Sequence, residues 1–267
     1  MQLHIRHETL YRYLEPVKRS VQNLRLTPRR DPVQRELNWS ISAPGRHNTQ
    51  VDAHGNVVHL LTLDEPHREI RIIVNGVVET LDDETNLPDG GQLSPLTYLA
   101  ETPLTRPDDT IRRFAAGFLH RPHDRYRELL RLAEGVCEAV EYQPGATEVH
   151  ESAAESFKRG KGVCQDHAHI FIACCRSVGI PARYVSGYFY TGDSGRVASH
   201  AWVDVWLEPE HGWRSIDVTH RAGAFARYCR LAVGRDYLDA CPVRGVRRGG
   251  GSEHMQVSVI VAASAQQ

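Results

Sequence analysis

Over the first ninety or so residues, apolar and polar side chains alternate in short runs, the period of a half-buried strand. Leu3-His-Ile-Arg-His, Val21-Gln-Asn-Leu-Arg-Leu, Leu37-Asn-Trp-Ser-Ile and Val57-Val-His-Leu-Leu-Thr-Leu are separated by clusters of Pro, Gly, Asn and Asp. His54-Gly55-Asn56 reads as the hairpin turn that feeds the run at Val57, and Glu69-Ile-Arg-Ile-Ile-Val-Asn-Gly-Val-Val-Glu is the clearest strand of the series. Several strands at this spacing, with no helical stretch among them, predict an N-terminal β-sandwich over residues 1–95. Asp82 to Leu96, acidic and then rich in Gly and Pro, reads as the linker to a second domain over residues 96–267.

Beyond the linker the period lengthens. Pro107-Asp-Asp-Thr opens a short helix, and Tyr126, Leu129, Leu130, Ala133, Val136, Cys137 and Val140 recur every three or four residues along a longer one. Ser152-Ala-Ala-Glu155 is a capping box for a third helix ending near Gly160. A fourth begins at Cys164, after Gly160-Lys-Gly-Val. It buries a stripe of Ala168, Phe171, Ile172, Cys175 and Val178, and stops at Gly179 with Pro181 just beyond. Strand alternation returns at Ser199-His-Ala-Trp-Val-Asp-Val-Trp-Leu207, which puts His200, Trp202, Asp204 and Trp206 on one face. It returns again at Trp213 to Asp217 and in the final Met255-Gln-Val-Ser-Val-Ile-Val-Ala. The fold class predicted is α+β.

Composition narrows the function mainly by exclusion. A formal net charge of −1 with 24% charged residues offers no electrostatic argument for nucleic acid or an anionic membrane as partner. No apolar run is long enough to cross a bilayer, and the N-terminus lacks the apolar core of a signal peptide. The six cysteines stand at irregular spacings, with Cys174 and Cys175 adjacent, which suits reduced thiols and a cytoplasmic location.

Candidate chemistry centres on Cys164. At the first turn of a buried helix, unpaired backbone N–H groups and the positive end of the dipole favour a thiolate and supply donors for an oxyanion. Such a nucleophile wants a base and the base wants an orienting acid, roles that His200 and Asp217 are placed to fill. An antiparallel turn centred on Glu208-Pro209 sets His200 opposite Asp217, whereas one centred on Glu210 sets it opposite His220; the register is therefore a requirement of the triad. Fifteen histidines and the run Cys164-x-x-His167-x-His169 also invite a metal-binding reading. Two positions apart on a helix point in different directions, and no Cys-x-x-Cys stands at zinc-ribbon spacing, so neither metal nor cofactor is expected.

Gly162-Val-Cys-Gln-Asp-x-Ala-His, then Gly179-Ile-Pro-Ala-Arg-Tyr-Val-Ser-Gly-Tyr188, Ala198-Ser-His-Ala-Trp-Val203 and Asp217-x-Thr219 together resemble the bacterial transglutaminase-like family. Tyr142-x-Pro-Gly-Ala-Thr147, Val233-Gly-Arg-Asp-Tyr-x-Asp239 and Pro242-Val-Arg-Gly245 extend the likeness. The resemblance implies a papain-like core with Cys164 as nucleophile, His200 as base and Asp217 as its orienter, preceded by a β domain. By position Tyr142 is either a second oxyanion donor or a packed core tyrosine. Asp166 and His169 recur in the family motif and are expected to hold the helix by hydrogen bonds, while Trp202, Trp206 and Trp213 are read as sheet packing, with one of them a candidate wall of the substrate cleft. His167, Val218-Thr-His220 and Cys241 depart from the usual pattern, and His167 is expected to bear on substrate preference.

The implied reaction is acyl-enzyme chemistry on a peptide or protein substrate. Resolution by water gives a peptidase or amidase, and resolution by an amine gives a transglutaminase. Hydrolysis is preferred because no calcium-ligand cluster is visible. An inactive scaffold that binds peptides through its β domain is the third reading, disfavoured by a complete triad.

Overall fold

The computed structural model describes residues 1–81, 93–120, 124–192, 196–197, 199–208 and 212–264. Most of the expected linker, residues 82–92, and the tip of the expected turn, residues 209–211, lie outside the described residues.

Five strands open the chain: β1 (Gln2–Leu24), β2 (Gln34–Ser42), β3 (Arg46–Val51), β4 (Val57–Leu63) and β5 (His67–Thr80). In β1 the odd positions from Leu3 to Tyr13 face inward, whereas from Ser20 to Leu24 the even ones do. The phase changes around the exposed Leu14-Glu15-Pro16, where register breaks between Arg12 and Val17 and again between Val17 and Arg19. These irregularities let one strand stay amphipathic past a turn-like interruption. Sequence alternation splits this stretch into two strands for that reason.

Helices follow: α1 (Asp109–Phe118), α2 (Arg125–Ala139), α3 (Ala153–Arg159) and α4 (Cys164–Ser177), with β6 (Glu141–Tyr142) and β7 (Lys161–Gly162) forming a short parallel ladder. Asp108 caps α1 by accepting from the Ile111 N–H, and Ser152 with Glu155 forms the capping box expected for α3. Then come β8 (Ala182–Phe189), β9 (Arg196–Val197), β10 (His200–Leu207), β11 (Gly212–Asp217), β12 (Ala222–Gly223), β13 (Tyr228–Gly234), α5 (Tyr237–Ala240), β14 (Val243–Gly249) and β15 (Glu253–Ser264).

Among the described residues the long strands make two sheets. β12-β11-β10-β8-β13 is a five-stranded antiparallel sheet behind α4. The other has eight strands, ordered β2-β5-β1-β15-β9, with β4 and β14 on the second half of β1 and β3 on β4. Residues 243–264 therefore pair along β1, in the same sheet as the strands of the first 80 residues. A strand of 23 residues outruns any one partner, and its open edge takes β14 and β15, the last two strands among the described residues. Leu3, Ile5, Leu61, Ile70, Ile72 and Val261 share one core with Tyr188 of β8 and with Cys229 and Leu231 of β13, so the two sheets pack against each other.

Polar groups lock that contact. Asn56, fully buried, donates to the Val233 carbonyl and accepts from the Val233 N–H, both at 2.8 Å. Gln34 does the same for Arg230, again at 2.8 Å each way.

α4 is buried on every side from Asp166 to Arg176, while Val178, expected on its apolar stripe, is 38% exposed. A helix enclosed by a sheet and three other helices has no polar face, so a single-stripe reading recovers only part of its contacts. Its C-terminal end is tied down by Arg176, which donates to the carbonyls of Tyr98, Ala182 and Arg235 and to Thr105 Oγ1. The cation there also answers the negative end of the helix dipole.

Candidate active site

Cys164 is the first residue of α4 and is half-buried. The turn before it is held by Asp166, whose Oδ2 accepts from the Val163 N–H and the Thr147 hydroxyl, both at 2.7 Å, while Oδ1 accepts from Ser156 Oγ at 2.9 Å. A Cβ on Gly162 would stand 2.7 Å from the Asp166 Cβ, so this approach requires glycine. Gly160 takes φ 71° to end α3. Every local choice from residue 160 to 166 presents the Cys164 sulfur and the free N–H groups of the first helical turn to one side.

His200 begins β10, and its Nε2 lies 2.7 Å from Asp217 Oδ2. Cys164 lies close enough to this ring to act on its charge, and with Nε2 engaged by Asp217 the nitrogen left for the sulfur is Nδ1. Burial disfavours a charged imidazole, but hydrogen bonds and charge from Asp217 and Cys164 outweigh it and raise His200 to about 10. Asp217 is fully buried; burial works against its charge, yet bonds to His200 and His220 hold the carboxyl well below the usual range.

Neither register weighed from the sequence is the one found. β10 and β11 pair from Leu207↔Gly212 to Val203↔Ile216, so one further step sets Asp217 across from Trp202. His200 meets Asp217 diagonally on the same face, within reach of long side chains. The Trp202 ring lies 6.1 Å from the His200 ring and nearly parallel to it. It fits against Gly187, where a Cβ would sit 2.6 Å from the indole. Trp202 is thus the floor under the imidazole, and Trp213 is equally buried, against Tyr98.

The other expected residues sort by their contacts. His169 accepts from the Tyr237 N–H at 3.1 Å, joining α4 to α5. His167 is buried rather than lying on the helix surface near the cleft. Its Nε2 donates to the Val140 carbonyl at 2.9 Å, and Nδ1 lies 3.1 Å from Thr219 Oγ1, so it ties α2 and the segment after Asp217 to α4. Tyr142 is 51% exposed and near enough to Cys164 that the sulfur's charge adds to burial in raising its hydroxyl. It is therefore not a packed core tyrosine.

Residues 3–79 match the bacterial transglutaminase-like N-terminal region, and residues 112–218 match the transglutaminase-like superfamily. An uncharacterised protein of Mycobacterium leprae is 31% identical over 269 residues, covering 95% of each chain. The chain belongs to the transglutaminase-like family. An uncharacterised Mycobacterium tuberculosis H37Rv protein is 32% identical, over 91% of this chain and 86% of that one. A crystal structure of a candidate cysteine protease from Cytophaga hutchinsonii superposes with a TM-score of 0.78 at 22% identity, covering all of this chain and 92% of the other, which shows a shared fold.

Two side chains at the transglutaminase-like site were not singled out from sequence as site residues. His220 Nδ1 lies 2.7 Å from Asp217 Oδ2, and the Tyr228 hydroxyl donates to the same oxygen at 2.8 Å. His220 had a signal, standing three residues beyond the aspartate as one of the departures from the family pattern. Tyr228 had none, because it arrives from β13, eleven residues on, across a fold no local pattern specifies.

Proposed function

We propose that the protein is a cysteine-nucleophile enzyme that forms an acyl-enzyme on Cys164 from a peptide or amide bond and releases the acyl group to water. The observation that carries this reading is the relay at one helix tip: sulfur to His200, and His200 Nε2 to the buried Asp217 at 2.7 Å. The thiolate attacks the carbonyl carbon while His200, holding a proton on Nδ1, delivers it to the departing amine nitrogen. Asp217 fixes the ring and stabilises its charged form. The Cys164 N–H, with no carbonyl one turn back to bond, meets the oxyanion. The exposed Tyr142 hydroxyl is the proposed second donor. Water, deprotonated by His200, then attacks the thioester and frees the acid.

Hydrolysis is favoured over amine transfer because the half-buried sulfur borders solvent. A cytoplasmic location belongs to the same proposal, supported by six cysteines that remain free thiols. Incubating the protein with a peptide library, with and without a primary amine, and reading the products by mass spectrometry tests the reading. Cleaved or deamidated products that vanish with Cys164→Ala are expected. Amine-adduct products alone would assign it to acyl transfer, and turnover surviving Cys164→Ala would remove the nucleophile.

A further inference from the structure

One carboxylate oxygen, Asp217 Oδ2, is the meeting point of His200 Nε2 at 2.7 Å, His220 Nδ1 at 2.7 Å and the Tyr228 hydroxyl at 2.8 Å. Orienting one imidazole needs one of these contacts, and the proposed reaction has no use for His220. The His220 backbone N–H also donates to Asp217 Oδ1, at 3.2 Å, which fixes the turn that brings its ring back onto the aspartate. The ring packs at 4.5 Å from Phe189, between centroids, and at 5.2 Å from His200. The side chain of Asp217 is fully buried, that of His200 nearly so, and that of His220 is 43% exposed, so His220 is the side from which a small ligand reaches the other two. The ligating atoms of the three residues all lie within 4.8 Å of one another.

We propose that His200 Nε2, Asp217 Oδ2 and His220 Nδ1 form a binding site for one divalent transition-metal ion of the zinc or cobalt class, and that its occupancy halts turnover. Two imidazoles and a carboxylate suit borderline ions over calcium or magnesium, and leave a fourth position for water. Around a tetrahedral ion with donors at about 2.1 Å, neighbouring donors stand about 3.4 Å apart. Each of the two present 2.7 Å contacts needs to open by less than about 1 Å; the exposed His220 supplies this for its own contact, and a small rotation of the Asp217 carboxylate or the His200 ring must supply it for the other. Each imidazole must offer a lone pair where it now offers a proton. His220 does so by moving its proton from Nδ1 to Nε2, on a side chain that is 43% exposed. His200 releases its Nε2 proton to solvent and keeps the one on Nδ1. With Nε2 on a metal and Nδ1 protonated, His200 has no lone pair for the thiol's proton, and its orienting carboxylate is engaged elsewhere. The ion therefore competes with the relay and is not a cofactor of it.

His167 and His169, the histidines that first suggest a metal from sequence, take no part, each being bonded to a different element. The inhibition rests on the proposed function, whereas the binding does not, and the two are measured separately. The 267-residue chain carrying Cys164→Ser, which removes the competing sulfur, is titrated with Co2+ and followed by its visible absorption, and with Zn2+ by calorimetry. One ion per chain is expected. His220→Asn should weaken binding at least tenfold, whereas Tyr228→Phe, which removes a donor to Oδ2 but no ligand, should retain it. Absence of stoichiometric binding in Cys164→Ser, or equal affinity in His220→Asn, overturns the site. Should His220→Asn fail to fold, His220→Gln makes the same test. In the active chain Zn2+ should stop turnover reversibly, with a chelator restoring it. Full turnover at saturating Zn2+ would refute the inhibition while leaving the binding result to stand by itself.

Discussion

Replacing Asp204 by Asn should be among the most destabilising conservative changes available in this protein. Asp204 lies on the same strand face as His200 and is fully buried. Its Oδ1 accepts from Arg230 Nη1 at 2.9 Å and Ser215 Oγ at 2.7 Å; its Oδ2 accepts from Arg183 Nε at 2.9 Å and Arg230 Nη2 at 2.5 Å. Arg230 also reaches Asp31 at 2.8 Å, so the network ties the segment between β1 and β2 to β10 and β13. Burial works against the Asp204 charge, but the two guanidiniums more than offset it and hold the carboxyl far below its usual range. Asparagine keeps the volume, removes the charge, and turns two amide hydrogens toward guanidinium donors. Arg183 then loses its carboxylate, and Arg230 keeps only Asp31. Breaking a buried pair in this way costs about 3–5 kcal/mol, against a total stability of about 5–15 kcal/mol. With a urea slope of about 3 kcal/mol per molar, the midpoint should fall by roughly 1–1.7 M. Tryptophan fluorescence is a direct reporter, since Trp213 lies under Arg183 with the guanidinium 4.0 Å from its ring centroid. The exposed pair Arg12–Glu69 is the control, and Arg12→Ala should cost under about 1 kcal/mol. If Asp204→Asn will not fold, the double variant Asp204→Asn with Arg183→Met should recover stability by removing the guanidinium that is left without its carboxylate. A shift for Asp204→Asn no larger than that of the surface control would refute the reasoning.

Three further outcomes are expected. Iodoacetamide at near-neutral pH should label Cys164 first, because Cys174, Cys175, Cys229 and Cys241 are buried and Cys137 bonds the Val218 carbonyl through its sulfur at 2.9 Å; even labelling of all six, followed by peptide mapping, would speak against a reactive thiol at the helix tip. Asp217→Asn should lower the turnover number by about four orders of magnitude, as the loss of an orienting carboxylate does in other triads; an unchanged rate in a steady-state assay would assign the role elsewhere. Acid should destabilise the fold through His7 and His169, which burial lowers from 6.5 to about 4. The unfolded chain takes up these protons below about 6.5 and the native one only near 4, so stability falls as pH drops through that window, by on the order of 3 kcal/mol per histidine. Urea midpoints from pH 7.5 to 4.5 measure it, and His169→Gln should flatten the slope; an identical slope in that variant would contradict the assignment.

What could be read from the sequence was chemistry carried by local patterns. Gly160, Gly162, Cys164 and Asp166 lie within one turn and helix start, so their geometry follows from backbone rules acting over a few residues, and α3 begins at the capping box for the same reason. Long-range placement was legible only in part. Alternation along β10 put His200, Trp202 and Asp204 on one face, but the partner register rests on a turn whose composition admits several centres, and the one found differs from both that were weighed. A reversal in the phase of β1 looked like two strands, because a bulge and a loop expose the same polar residues. Nothing in residues 243–264 announces which sheet they join, since any alternating segment fits any open edge. His220 and Tyr228 illustrate the remaining gap. Their partner is one oxygen of a residue already in view, and what makes them part of the site is that the turn after Asp217 brings His220 back onto it while the Tyr228 side chain reaches it from β13. The residues that make bonds in a reaction are constrained by type and so leave a signature. Those that crowd around them are constrained by position alone, and position is settled only once both sheets have closed.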